Sequence, residues 1–255
     1  MFFKSRRGLL EFLFVFLFLL TIGQNKADAG WIEVGGKAID IGIGKKGSVW
    51  MIGNSEVNDQ GNKIYVRAGN TWRLVGGLHG VRIDVDPYGN PWVATKTGAI
   101  YKRQQGNWVR VPGRASDIGI GANGAVWILG IHRIIAAGDR AIYVLSGNKF
   151  SQIGGRFALK IDVDPRGTPY VVSSSRKISR RAFARWEDLP GKANDIGIGS
   201  NGTVWMVGNN GTYRWALGRR WQKLDNSGGL AISVDPAGRA WKISSQSSRI
   251  YRWQP

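Results

Sequence analysis

Trp31-Ile32-Glu33-Val34-Gly35-Gly36-Lys37-Ala38-Ile39-Asp40-Ile41-Gly42-Ile43-Gly44, followed by Lys46-Gly47-Ser48-Val49-Trp50-Met51-Ile52, is the stretch on which the fold turns. An aromatic residue precedes an aliphatic one by three positions. A Gly-containing turn follows, then a strand centred on Asp40, a second Gly turn and a strand holding Trp50. Ile64-Tyr65 closes the phrase. Trp72, Trp108, Phe150, Trp186 and Trp221 open it again, at spacings of 41, 36, 42, 36 and 35 residues. A period of this length, made of short strands and turns, marks one supersecondary unit stacked on copies of itself. Six such units of four strands predict an all-β, six-bladed β-propeller.

The details of the strands agree. Ile39, Ile41 and Ile43 share one face, and Ala38, Asp40 and Gly42 the other, by the period of two. Small residues suit the crowded strand nearest a propeller axis. Val49-Trp50-Met51-Ile52, Val126-Trp127-Ile128-Leu129 and Val204-Trp205-Met206-Val207 show no polar alternation. Such strands are buried on both faces, as between neighbouring blades. Asn123-Gly124 and Asn201-Gly202 read as hairpin turns. Asp86-Pro87-Tyr88-Gly89, Asp164-Pro165-Arg166-Gly167 and Asp235-Pro236-Ala237-Gly238 read as Pro-Gly turns. Odd repeats carry Asp-Ile-Gly-Ile-Gly (Asp40, Asp117, Asp195) and even ones an Asp-Val-Asp-Pro motif (Asp84, Asp162; Ser233 in the last). The true unit is thereby predicted to be a pair of blades, present three times. Closure is predicted by pairing of Trp31 to Val34 with the C-terminal strand, Arg249 to Trp253, which removes exposed sheet edges.

Residues 1–29 read as a secretory signal peptide. Lys4, Arg6 and Arg7 form a basic start, Phe12 to Ile22 an apolar run, and Ala27-Asp28-Ala29 a small-x-small cleavage site. The run is short for a membrane span, which disfavours an uncleaved anchor. The expected organisation is a leader, 1–29, and one propeller, 30–255, in a secreted protein. There is no cysteine, so thiol chemistry and Cys-based metal sites are excluded. The formal net charge is +19, and about +17 remains after the leader, a field that draws polyanions at long range. Lipopolysaccharide, acidic glycans and anionic membrane surfaces are the partners this favours. No nucleic-acid recognition motif is present.

The pattern Trp-x-x-Val-x-Gly, Ile-Asp-Val/Ile-Gly, Val-Trp and Ile-Tyr-x-Arg, recurring across the whole of 30–255, resembles the tectonin repeat. The fourth copy departs most, with Phe150, Tyr170 and Ser179 at aromatic positions. The resemblance implies a six-bladed propeller lectin that binds glycans or lipopolysaccharide at several equivalent sites, without enzymatic activity or cofactor. A protein-interaction scaffold is the alternative, and a glycan hydrolase a third. The Asp-box turn of six-bladed sialidases, Ser-x-Asp-x-Gly-x-x-Trp, is not met by Ser200-Asn201-Gly202-Thr203-Val204-Trp205.

Catalytic and metal sites find little support. His79 and His132 lack a ligand-spaced partner and read as loop histidines. Asp84 with Asp86, and Asp162 with Asp164, have the look of calcium ligands or of a catalytic carboxylate pair. Their repetition argues for a structural device instead: the first satisfies backbone groups and the second caps the turn. Trp50, Trp92, Trp127, Trp205 and Trp241 read as core. The opening tryptophans, among them Trp72, Trp108, Trp186 and Trp221, sit on the outermost strand with an edge that can meet sugar. Trp215 and Trp253 break the repeat register and are expected to be exposed contacts. Arg103, Arg181 and Arg220 stand for a basic band (Lys102-Arg103, Arg176-Lys177, Arg180-Arg181, Arg185, Arg219-Arg220) suited to phosphates or acidic sugars. These nine residues are the candidate ligand contacts, and Asn54 to Asn62 and His132 to Arg140 the longest expected loops.

Overall fold

The computed structural model describes residues 30–58, 61–134 and 138–255; the expected leader lies outside them. The described residues are all-β. Their 22 strands run from β1 (Gly30–Ile43) to β22 (Arg249–Gln254) and pair antiparallel in two seven-stranded and two four-stranded sheets. The unit throughout is an up-and-down meander. It starts on an Asp-centred strand such as β5 (Arg82–Val85) and continues through β6 (Pro91–Ala94) and β7 (Ala99–Gln104). It ends on the next opening aromatic, here in β8 (Asn107–Ile120). The opening aromatic therefore belongs to the outer edge of the preceding meander.

Two of these joints differ from expectation. Gly35-Gly36 was expected to separate two strands, but β1 passes through them as one strand with a bulge. Its first part pairs with β22, placing Trp31 opposite Trp253. Its second part pairs with β2 (Val49–Asn58). The strand β8 is shared in the same way by β7 and by β9 (Val126–Ile134). One expected long loop changes character: its residues 54–58 and 61–62 belong to β2 and β3 (Gly61–Ala68), with Glu56 opposite Asn62 and Asn58 opposite Gly61. Cross-strand pairing satisfies backbone there that a loop would leave to water. The other expected loop joins β9 to β10 (Arg140–Ser146), and its residues 135–137 lie outside the described residues.

The inner strands meet closely. A side chain at Gly42 would come 2.9 Å from the Asp84 backbone, and Gly119 stands in the same relation to Asp162 at 3.0 Å. Only glycine lets one Asp-centred strand lie against the next, which explains the Asp-Ile-Gly pattern of the odd repeats. The second strands are dry: β6, β13 (Pro169–Val172) and β17 (Val204–Gly208) are buried throughout.

Outer strands interlock through a second rule. Gly36, at φ +84, lies under the Trp72 indole, and a Cβ there would fall 2.9 Å from Trp72 Nε1. Gly113, at φ +99, meets Phe150 at 2.9 Å in the same way. Replacing Gly36 with Ala combines a left-handed backbone with a steric conflict, and is expected to cost about 2 kcal/mol. Gly76→Ala, where nothing lies within 4 Å, is the control expected to be near neutral. Chemical denaturation of the two variants checks the contrast.

Candidate functional site

The Asp-centred strands bring five carboxylates together: Asp40, Asp84, Asp117, Asp162 and Asp195 line one cavity of about 30 Å³. Each accepts a backbone N–H from the next inner strand. Asp40 Oδ2 takes Ile83 N (2.8 Å), Asp84 takes Ile120 N (2.5 Å), and Asp117 takes Ile161 N (3.0 Å). Asp162 takes Ile198 N (2.6 Å) and Asp195 takes Ile232 N (2.9 Å). This is more specific than expected. The first Asp of the even motifs does satisfy backbone beside its own turn, Asp84 Oδ1 accepting from Val85 N and Asp162 Oδ1 from Val163 N, both at 2.7 Å, and its other oxygen ties the strand to the following meander. The second Asp caps the turn as expected: Asp86 Oδ1 accepts from Tyr88 N and Asn90 N, both at 2.9 Å. Asp164 and Asp235 do likewise.

Two cations enter the same cluster, Arg82 at 3.7 Å from Asp117 and Lys160 at 4.0 Å from Asp195. Burial pushes the Asp117 carboxyl up to about 7, against the pull of Lys160 and Arg82. Burial likewise raises Asp84 and Asp162 well above the ordinary carboxylate range. In the last even repeat, Ala231 and Ser233 stand where Arg82 and Asp84 stand, so cation and carboxylate are lost together. A cavity of about 30 Å³ has room for about one water and none for a sugar ring. Among the described residues no group of three or more His, Cys, Asp or Glu side chains is placed to hold a metal ion. The His132 side chain lies outside the described residues.

The outer hairpins carry the tryptophans, and cross-strand register explains what each does. Trp72 lies opposite Arg67, Trp108 opposite Arg103, and Trp186 opposite Arg181. The guanidinium centres lie over these rings at 5.1, 5.4 and 5.9 Å. Phe150 faces Leu145 instead. Trp221 faces Trp215, edge to face at 4.7 Å. Trp215 thus occupies the arginine position of the repeat, which is why it looked out of register. The indole N–H groups are used too. Trp72 donates to Gly35 O (3.0 Å), Trp108 to Gly76 O (3.0 Å), Trp186 to Gly154 O (2.9 Å) and Trp221 to Pro190 O (2.8 Å). Each opening Trp therefore staples its hairpin to the preceding one.

Trp253 corrects the expectation of an exposed contact. It is 9% exposed, packed against Trp31 (5.3 Å) and Trp205 (5.9 Å) where β1 meets β22. A neighbouring feature was not anticipated. Lys242, with its side chain 3% exposed, pairs with Asp225 at 2.9 Å and lies 4.1 Å over the Trp31 ring. Its place in the strand is that of Val93 and Val171, so a charge at a core position was the available signal.

In a meander, the first turn and the third turn lie at the same end of the sheet. At that end a groove of about 580 Å³ runs between β5–β8 and the following meander. Tyr88, 78% exposed, stands beside Asn90, Lys102, Arg103, Arg110 and Asn148. A second recess of about 750 Å³ lies at the hairpin of β18 (Gly211–Ala216) and β19 (Arg220–Asp225), lined by Trp215, Arg214, Arg219 and Arg220. Of the expected contacts, Arg103 lines the first, and Trp215 and Arg220 the second. Trp72 borders a smaller recess of about 270 Å³ with Lys63 and Tyr65. Trp108, Trp186, Trp221 and Arg181 are half-buried in the staples. Tyr88 was missed because sequence showed only a turn residue.

The Tectonin domain family model matches residues 53–137. No curated protein sequence matches the chain. Among solved structures, a gluconolactonase from Xanthomonas campestris superposes with a TM-score of 0.67 at 12% identity, over 89% of this chain and 90% of the other. A catalytically inactive virginiamycin B lyase from Staphylococcus aureus, with quinupristin, gives 0.58 at 15% identity, over 84% and 79%. YCF48 bound to D1 peptide gives 0.52 at 17%, over 85% and 78%. At such identities the likeness concerns the propeller-like fold alone.

Proposed function

Taking this chain as a tectonin-repeat protein, we propose that it is a secreted, non-enzymatic lectin. Its sheets form a six-bladed propeller closed by the β1–β22 pairing, and it recognises glycans or lipopolysaccharide in grooves between blades. The observation that carries this reading is the groove at Tyr88. An exposed ring beside amides and cations is the chemistry that holds a sugar: the ring takes the apolar face, and the polar groups take hydroxyls and phosphates. The formal charge of +19 favours anionic glycans and makes their capture salt-dependent. The carboxylate cluster supports a binding role over hydrolysis, because its oxygens are spent on backbone N–H groups around a cavity too small for substrate.

A glycan array that includes lipopolysaccharide core saccharides, run at moderate salt, is the test. Binding is expected, and Tyr88→Ala should weaken it roughly tenfold by removing a stacking face. Silence toward every glycan and toward lipopolysaccharide would discard the lectin reading. Release of a cleaved sugar would discard the non-enzymatic one.

A further inference from the structure

Five outer hairpins occupy equivalent places in the repeats, and their tips are not alike. Gly69-Asn70 follows β3, Gln105-Gly106 follows β7, and Gly147-Asn148 follows β10. These tips are polar. The hairpin of β14 (Lys177–Ala182) and β15 (Arg185–Lys192) turns instead on Phe183-Ala184. That of β18 (Gly211–Ala216) and β19 (Arg220–Asp225) turns on Leu217-Gly218-Arg219. Phe183 is 99% exposed and Leu217 96%. Phe183 and Ala184 hold φ values of 48° and 64°, a conformation that Asn-Gly adopts readily and a bulky residue does not. The fold thus accepts local strain to put a phenyl ring where Gly69, Gln105 and Gly147 stand in the other hairpins.

Both tips are collared by arginine: Arg181 and Arg185 on the first, Arg219 and Arg220 on the second. The hairpins also lie side by side. Glu187 of β15 holds Arg180 at 3.0 Å and reaches Arg219 of the neighbouring hairpin at 3.9 Å. Leu217 lines one recess with Trp215, whose ring packs on Trp221. Two apolar prongs inside a cationic collar, backed by tryptophan, form the arrangement of an interfacial membrane anchor. The prongs enter the boundary between headgroups and acyl chains, the guanidinium groups take lipid phosphates, and the indoles suit headgroup depth. A free glycan explains the arginines but gives no reason to expose Phe183 and Leu217 so completely.

We propose that the β14–β15 and β18–β19 tips dock this protein on an anionic phospholipid bilayer, with Phe183 and Leu217 inserted. The inference stands apart from the lectin reading, because the vesicles that test it carry no sugar. The protein is sedimented with vesicles of phosphatidylcholine alone and of phosphatidylcholine with phosphatidylglycerol, at low and moderate salt. Binding is expected to the anionic vesicles only. The double substitution Phe183→Ser with Leu217→Ser keeps the net charge and alters fully exposed positions, so its thermal melt should match the parent. Its partition onto anionic vesicles should fall roughly tenfold or more. Undiminished binding of that variant would show attraction by charge alone and overturn the proposal, as would failure of the parent to bind anionic vesicles at low salt.

Discussion

The unfolding midpoint of this protein rises as the solution is taken from about pH 8 to about pH 5. The cause is the carboxylate cluster between the inner strands. Asp117 is buried, and its carboxyl stands at about 7 in the fold against 3.8 for a free side chain. Between those values the native state binds more protons than the unfolded chain, so stability falls as pH rises through the window. Asp84 and Asp162 are raised well above the ordinary range by the same burial and act in the same direction. For Asp117 alone the full effect is on the order of 4 kcal/mol. Lys160 and Arg82 oppose the shift, while Asp40 and Asp195 add to it.

The rise does not continue into strong acid. Asp188 is held low, chiefly by its hydrogen bond from Lys177, and its contribution is lost as pH falls through that depressed value. An optimum near about pH 5 is therefore expected. Asp117→Asn separates this cause from general charge effects. The amide keeps an oxygen for Ile161 N but cannot titrate. Thermal melts across pH should show a flatter slope for the variant than for the parent. An unchanged slope would remove the cluster as the origin.

The repeat period and the Asp-Ile-Gly-Ile-Gly phrase made the meander legible in the sequence, because both reflect backbone constraints that every copy must satisfy. Gly42 is needed by the approach of Asp84, and that need recurs at Gly119. The hairpin arms at 54–58 and 61–62 were misread as loop because polar residues there hide a pairing that depends on the partner strand. Trp253 was misplaced for a related reason. Its pattern, Tyr-Arg-Trp, is shared with Trp215, but β22 has β1 as its neighbour, and that contact spans nearly the whole chain. The groove at Tyr88 was invisible because it is assembled from residues of two meanders. Charge was legible as a total, yet the distinct roles of Arg103, stacked on Trp108, and Arg219, at an apolar tip, come only from register.

Removing the Lys242 ammonium is expected to lower stability by about 3 kcal/mol, the cost of breaking a buried ion pair. The reason lies in how this junction departs from the others. Elsewhere the opening Trp donates to a backbone carbonyl of the preceding hairpin, as Trp72 does to Gly35 O and Trp221 to Pro190 O. Trp31 donates instead to the Asp225 carboxylate. That carboxylate needs a counter-charge, and Lys242 supplies it at 2.9 Å while also reaching Thr212 Oγ1 at 3.2 Å. Lys242 then lies over Trp31 at 4.1 Å, so one ammonium serves the carboxylate and the ring that joins β1 to the rest. Burial lowers the Lys242 pKa, opposed by Asp225, which marks the ion as costly in itself and retained for its partners. Lys242→Val restores the residue found at Val93 and Val171 but strands Asp225. Asp225→Asn alone strands the lysine. The double variant strands neither charge, so its loss should be smaller than the sum of the two single losses by at least about 1 kcal/mol. Denaturant melts of the four proteins give that coupling directly. Simple additivity would mean that the lysine and the carboxylate hold this seam independently of each other.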